Sequence, residues 1–423
     1  MNNTSWVFFA NIYRVFLVFV RSIIVAKALS ASTFGQYVTI LALTASLQAF
    51  FNLNIGTMFT KFGASYMMEK RNDKLFGLLK LSFLLTVLSL LVSVILLFFF
   101  IRFSYQLFID QPNLEYHILL LAVAQGMTFI DYTSLSLLRL FYRFRQNSLI
   151  TMLIITIELV VIIISLVVYS VDLETFLVII IIQKFASSII FNGLCFWEIR
   201  AELTGFRQAQ IKLIKSDFKE IKSFITVNYG SRLVKTLIQQ GDVLLLSAFA
   251  TDYEVGIFGV GKRLGNAILS ITDPLMNAVF PQISRMISGK QYKDLIAMIK
   301  QITSTVLLLG GAFLIALFFF RFDILALAYG NEFRDGGNVF FVISLSSVAG
   351  GIFFWYTSLL LNLELVVYRF KMYIALLVGS LVLGLLIIPL YGAIGAAVTV
   401  LIMRLAEVGA GAYKGLHTLN SRL

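Results

Sequence analysis

Apolar runs of about twenty residues, separated by short polar stretches, recur from one end of the chain to the other. Each run is long enough to cross the hydrocarbon core of a bilayer as one helix. They predict helices near 6–29, 34–60, 76–101, 114–138, 148–170, 174–197, 221–247, 254–280, 296–320, 337–363, 366–388 and 391–413. The short in-and-out alternation of a transmembrane β-barrel is absent. The expected fold class is an all-α polytopic membrane protein of about twelve transmembrane helices. Residues 1–6 hold no basic side chain, and no small-residue cleavage site follows the first run, so that run is expected to remain as a helix.

Composition agrees with lipid as the solvent. Of 423 residues 59% are hydrophobic and only 13% charged, and the mean hydropathy is +0.91. Soluble proteins carry about 25% charged residues. Twelve spans consume about 240 residues, which leaves no room for a soluble domain. Cys195 is the single cysteine, and His117 and His417 are the two histidines. An intrachain disulfide and a structural zinc site are both excluded by this shortage.

The basic residues set the topology. With odd-numbered helices leaving the cytoplasm, Lys61, Lys70, Arg71 and Lys74 share one side with Arg139, Arg143 and Arg145. Arg200, Arg207, Lys212, Lys215, Lys219 and Lys222 join them, as do Arg285, Lys290, Lys293, Lys300, Arg369, Lys371, Lys414 and Arg422. The opposite loops hold only Arg102, Arg321 and Arg334. This bias places both termini in the cytoplasm and makes the span count even. Most of the +12 net charge is therefore topological, and no nucleic-acid partner is expected.

The halves resemble each other. Phe34-Gly35-Gln36-Tyr37 opens the second run, and Val255-Gly256-Ile257-Phe258 opens the eighth, 221 residues later. The same offset places Asp73 on Asp294, Arg14 on Lys235 and Asn11 on Arg232. The expected organisation is a six-helix lobe over 1–197, a basic cytoplasmic linker over 198–220 and a second six-helix lobe over 221–423, as parallel repeats. Such pairs commonly hold substrate near the midplane.

Charge at membrane depth is the informative part of the composition. Arg14 and Arg21 lie roughly 12 and 22 Å along helix 1, on the face that carries Asn11. Helix 7 carries Asn228, Arg232, Lys235, Gln239 and Asp242 at alternating steps of four and three, one continuous stripe. Helix 8 repeats this with Lys262, Asn266, Ser270, Asp273 and Asn277, and Arg263 adjoins it. A weaker stripe, Thr44, Gln48 and Asn52, marks helix 2. Each charge in mid-bilayer costs at least about 2.5–3.5 kcal/mol, so such residues face a protein interior or a wet cavity. The deep bases are Arg14, Arg21, Lys184, Arg232, Lys235, Lys262, Arg263 and Arg404, against Asp131, Glu158 and Glu407. An excess of about five positive charges calls for an anionic guest or water, and the expected place is a central cationic cavity between the lobes.

Other signals read as structure. Lys27, Lys61 and Lys80 are expected to snorkel at helix ends. Arg404 with Glu407, and Lys184 with Glu158, are expected to be structural pairs. Gly259-Val260-Gly261-Lys262 lacks the rest of a phosphate loop, and its glycines fit close helix packing. No nucleophile–base pair stands out, and an enzyme is not expected.

Several junctions resemble a known family. Lys27-Ala28-Leu29 before Phe34-Gly35-Gln36-Tyr37, Gln240-Gly241-Asp242 before Val255-Gly256-Ile257-Phe258, Pro281-Gln282-Ile283-Ser284, and Pro389-Leu390-Tyr391-Gly392-Ala393-Ile394-Gly395-Ala396-Ala397 are similar to those of Wzx-type flippases. These O-antigen and capsule repeat-unit translocases belong to the multidrug/oligosaccharidyl-lipid/polysaccharide exporter superfamily. The family often has Arg at Lys27 and Tyr at Phe258, and its peptidoglycan-precursor relatives usually carry two further helices. The resemblance implies a bacterial inner-membrane protein that moves an undecaprenyl-pyrophosphate-linked oligosaccharide from the cytoplasmic to the periplasmic leaflet. It implies alternating access, with a polysaccharide polymerase and a chain-length regulator as candidate partners beside membrane lipids. Arg14, Arg21, Arg232, Lys235, Lys262 and Arg263 would then hold the pyrophosphate, and Asn11, Asn228, Gln239 and Asn266 the sugars. Asp131, Glu158, Asp242 and Asp273 are candidates either for coupling to a proton or sodium gradient or for balancing charge. No metal or cofactor is expected. A cation or drug antiporter of the same superfamily, and a non-transporting scaffold of glycan assembly, are the rival readings.

Overall fold

The computed structural model describes residues 3–104, 114–168, 172–203 and 206–422, and the regular structure among them is helical. Among the described residues helices fall within each of the twelve predicted stretches, although several are divided. The second stretch is α2 (Ala31–Ala49) and α3 (Ile55–Met68), and the fourth is α5 (Glu115–Gly126) and α6 (Thr128–Leu140). The eighth and tenth are interrupted likewise, as α10 (Asp252–Ser270) and α11 (Asp273–Ser288), and α13 (Gly337–Ile352) and α14 (Trp355–Asn362). The same two stretches of each sequence half are thus broken. The undivided ones are α1 (Asn3–Ala28), α4 (Asn72–Ser104), α7 (Phe144–Val168), α8 (Leu173–Ile199), α9 (Phe218–Phe249) and α12 (Tyr292–Tyr329).

Eight segments among the described residues are long and apolar enough to cross a membrane by length and composition. They are α1 from Trp6, α4 to Phe100, α5–α6, α7, α8, α12, Asn331–Ile352 and Val366–Asn420. α9 falls outside that set because its polar stripe dilutes its apolar content. The last segment, α15 (Val366–Asn420), has 55 residues, which as one rod would exceed the roughly 30 Å hydrocarbon core more than twofold. It turns back at Gly392, whose φ of +52° favours glycine. A Cβ at Gly379 would stand 3.2 Å from Met403 Sδ, and Tyr368 donates 3.1 Å to the Ala410 carbonyl, so the two arms run antiparallel. Glu254 pins the turn. It completes a capping box with Thr251 at the start of α10 and accepts from the Ala393 N–H at 3.2 Å.

By contacts the chain forms two compact units, one of residues up to Arg21 with 40–237 and one of 22–39 with 238–423. The core of the first gathers Met58, Phe59, Leu78, Leu79, Leu137 and Leu138, with Ile214 and Ile221. That of the second gathers Ile283, Leu295, Trp355, Leu359, Leu360 and Val408. The placement of 22–39 has a visible cause. Gly35 and Gly256, the repeat-equivalent glycines, face each other where α2 crosses α10. A Cβ on Gly35 would overlap the Asp252 carbonyl oxygen and stand 2.9 Å from Gly256 N. One on Gly256 would overlap the Ala31 carbonyl oxygen. In lipid, helices associate through such close backbone approach rather than a hydrophobic drive. Gly259, Gly261 and Gly265 continue it: a Cβ would meet Val38 at 2.8 Å, Ile343 at 3.1 Å and Ile343 again at 2.6 Å. The glycines ahead of Lys262 are therefore packing surface.

The segment after α8 belongs to the first unit. Lys74 Nζ and the Tyr66 hydroxyl donate to Asp217 at 2.7 and 2.5 Å, and Ser216 donates to its other oxygen at 2.9 Å. Partial burial pushes the Asp217 carboxyl up, but these hydrogen bonds and the Lys74 charge outweigh it and hold the carboxyl at about 2. A depressed carboxylate contributes stability that is complete above its unfolded value of about 3.9 and is lost as pH falls through about 2. Trypsin cleavage at Lys212 and Lys215 should accordingly be slow at neutral pH in the native protein and fast in Asp217→Asn. Equal rates would show that Asp217 does not clasp the segment.

Candidate functional site

The polar stripes meet defined partners, unit by unit. In the first unit α1 presents Arg14, exposed, with its guanidinium 2.8 Å from the Asn11 amide oxygen. Two turns on, Arg21 pairs with Glu158 of α7 at 3.2 Å, the side chains being 32% and 22% exposed. The Glu158 backbone carbonyl accepts from Gln183 of α8 at 2.5 Å. Lys184 is near enough to interact electrostatically with Arg21, Glu158 and Asp131, yet Glu158 is bridged to Arg21. Asp131 accepts from Ser188 at 2.5 Å and from Asn192 at 2.7 Å, and Asn192 accepts from Ser134 at 2.5 Å. This carboxylate is held by neutral donors.

α9 carries the second set. Arg232 donates to the Asn54 amide oxygen at 2.9 Å, and its guanidinium lies 5.0 Å from the Tyr132 ring centre. Asn54 occupies the break between α2 and α3 with φ +53°, a conformation asparagine tolerates better than most residues. It also accepts from Thr57 at 2.9 Å, and Tyr229 donates to the neighbouring Phe50 carbonyl at 2.8 Å. The break thus offers α9 a backbone carbonyl that an intact helix would have consumed, beside the Asn54 amide. Asn228 bonds back to the Phe224 carbonyl of its own helix at 2.9 Å. Lys235 is exposed and has no hydrogen-bond or ion-pair partner among the described residues.

In the second unit Lys262 of α10 pairs with Asp242 of α9 at 2.5 Å and also donates to the Gln239 carbonyl. Arg263 stacks 4.7 Å from the Phe34 ring centre and 5.8 Å from Tyr37. The Gln239 and Asn266 side chains are exposed. Arg404 pairs with Glu407 at 2.6 Å, and Glu407 accepts from Tyr356 at 2.6 Å. The Asp273 side chain lies outside the described residues.

Among the described residues Arg21, Lys262 and Arg404 pair with carboxylates. Arg14 and Arg232 bond neutral amides instead. The helix 2 stripe differs from expectation. Thr44 and Gln48 are buried, and they bond Gln125 at 2.8 Å and the Ala122 carbonyl at 2.5 Å, so this stripe glues α2 to α5. Asn54, Tyr132, Ser188 and Asn192 were not singled out by the sequence. Asn54, an asparagine just beyond the helix 2 stripe, was the one with a legible signal.

The paired and unpaired bases should respond differently to mutation. Lys262 is 22% and Asp242 11% exposed. Removing one partner of a buried pair costs about 3–5 kcal/mol because the other charge is stranded. Asp242→Asn should lower the thermal midpoint of the purified protein, and adding Lys262→Gln should recover part of the loss. A double variant that merely adds the two losses would contradict the pairing.

The fold and sequence have relatives. The chain is similar in structure to the lipid II flippase MurJ in an inward closed conformation, with a TM-score of 0.71 and 14% identity over 99% of this chain and 90% of that one. It is similar to an inward-facing multidrug resistance MATE family transporter of the MOP superfamily, with a TM-score of 0.73 and 11% identity over 97% and 95%. A MOP superfamily transporter from Pyrococcus furiosus, described as having a binding pocket of reverse polarity, gives a TM-score of 0.55 and 12% identity over 100% and 97%. At these identities the likeness establishes the fold of MOP-superfamily transporters. No curated protein sequence matches the chain. The family of polysaccharide biosynthesis proteins matches residues 1–287, which is more than half of the chain and includes α1, α9 and α10 with their cationic stripes. The chain belongs to the polysaccharide biosynthesis protein family.

Proposed function

We propose that this protein is a flippase that moves an undecaprenyl-pyrophosphate-linked oligosaccharide, a surface-glycan repeat unit, from the cytoplasmic to the periplasmic leaflet by alternating access. The observation that carries the reading is Arg232, a guanidinium at membrane depth held by an amide and an aromatic face instead of a carboxylate. Its charge remains available to an anion, and its fork suits two phosphate oxygens at once. Arg14 and Lys235 add charge of the same kind. Asn11, Asn54 and Tyr132 supply hydrogen-bonding and ring surfaces of the sort that sugars use. Arg21 and Lys262, paired with Glu158 and Asp242, enter this proposal as charges that become available only when those pairs open.

The family match and the transporter fold support the substrate class, and the twenty-one-to-three basic bias supports a bacterial inner-membrane orientation with both termini in the cytoplasm. An exporter of cationic drugs is disfavoured by the same unpaired bases, which would repel its cargo. The test is surface-polysaccharide production in a strain lacking the chromosomal copy, with Arg14→Ala and Arg232→Ala supplied at matched protein levels. Wild-type polysaccharide from both variants would end the anion-clamp reading.

A further inference from the structure

We propose that residues 206–219, the stretch leading into α9 with that helix's first two residues, form an interfacial anchor that binds the anionic phospholipids of the leaflet on the basic side of the membrane. One side of this segment is fixed to α4. Lys80 Nζ donates to the Ala209 carbonyl at 2.7 Å, a Cβ on Gly77 would stand 2.8 Å from the Gln210 carbonyl oxygen, and Ile214 is fully buried. Phe206 stands edge-on to Phe76, and Lys74 holds Asp217 at the far end. Gly77 and Lys80 lie five and eight residues into α4, or about 8 and 12 Å along its axis. A segment resting there sits at the boundary of headgroups and acyl chains, where interfacial elements bury about 5–10 Å deep.

The other side is left open, and its chemistry is mixed. Ile211, Leu213 and Phe218 are 37%, 43% and 50% exposed, and Lys212, Lys215 and Lys219 are exposed between them. Water alone gives no reason to hold three large apolar side chains out of a packed fold. An acyl layer accepts them, and phosphate headgroups directly above accept the ammonium groups. The nearby acids are already engaged: Asp217 with Lys74, Glu198 and Glu202 with Arg143, and Glu220 with Lys61. The open face therefore keeps its positive charge. Trp197, 60% exposed and stacked on Arg200, marks the same level at the end of α8, as aromatic residues do at membrane interfaces. The anchor is independent of the cationic site: it involves neither Arg14 nor Arg232, and it stands whatever the protein transports.

The test places an environment-sensitive fluorophore on Leu213→Cys in full-length protein carrying Cys195→Ala. The protein is held in nanodiscs of phosphatidylcholine with increasing phosphatidylglycerol. The expected result is a blue shift that grows with phosphatidylglycerol. Lys212→Gln/Lys215→Gln/Lys219→Gln should raise the fraction needed for half the shift by about tenfold or more. Neutralising Arg369 and Lys371 should leave it unchanged, and inorganic phosphate should not reproduce it. A probe that reads water at every lipid composition, or a triple variant that shifts like the parent, would overturn the proposal. So would a shift produced only by an added acidic protein, since the occupant would then not be lipid.

Discussion

Gly35→Val should leave almost no folded protein in the membrane. The added carbons have to occupy the position of the Asp252 carbonyl oxygen, part of a helix backbone that cannot rotate away as a side chain does. Overpacking a core ordinarily costs about 1–3 kcal/mol, through small shifts and strained rotamers. Here α2 and α10 would have to separate, which removes the contacts of Gly256, Gly259 and Val38 together and exceeds that range. Gly256→Val should fail in the same way, because its Cβ overlaps the Ala31 carbonyl oxygen. Gly241→Ala and Gly409→Ala are the controls. A Cβ at either meets nothing within 4 Å, and alanine in a helix interior is favoured over glycine by about 0.5–1 kcal/mol. Detergent-extractable, monodisperse protein is the measurement. Normal yield from Gly35→Val would mean that the two glycines do not form this crossing.

Arg232→Ala should abolish transport while the protein stays folded or gains stability. Asn54 keeps its bond from Thr57, so no acceptor is stranded, and a charge costing at least about 2.5–3.5 kcal/mol in mid-bilayer is removed. The loss of transport should exceed tenfold, since a bidentate charged contact to phosphate contributes about 1.5–3 kcal/mol and has no substitute in alanine. Arg232→Lys should recover part of the activity, as lysine keeps the charge but lacks the planar fork that both bonds Asn54 and stacks on Tyr132. This pairing of effects separates Arg232 from Lys262. The same truncation at Lys262 strands Asp242 and should cost stability first.

Much of this was legible in the chain. Apolar runs located the helices, and the 221-residue offset found Gly35 and Gly256 before their contact was visible. The steps of four and three found the stripes on α9 and α10. The partners were not legible. Periodicity states which residues share a face but not which neighbour covers it, so the Thr44–Gln48 stripe read like the others although α5 buries it. The break before α11 was marked by Pro274, and the others were hidden for a similar reason. The one at Met127 follows Gly126, but a single glycine inside a long apolar run is also compatible with an unbroken helix, so the sequence did not mark it. Asn54 needed the break to be known before its amide could be assigned to Arg232.

The flippase account stands most directly on translocation by purified protein. A fluorescent undecaprenyl-pyrophosphate oligosaccharide is placed in both leaflets of proteoliposomes, and its accessibility to an added glycosidase is followed. Wild-type protein should expose the inner pool, and Arg14→Ala/Arg232→Ala, reconstituted at the same density, should protect it as empty vesicles do. Translocation by the double variant at the wild-type rate would contradict the account.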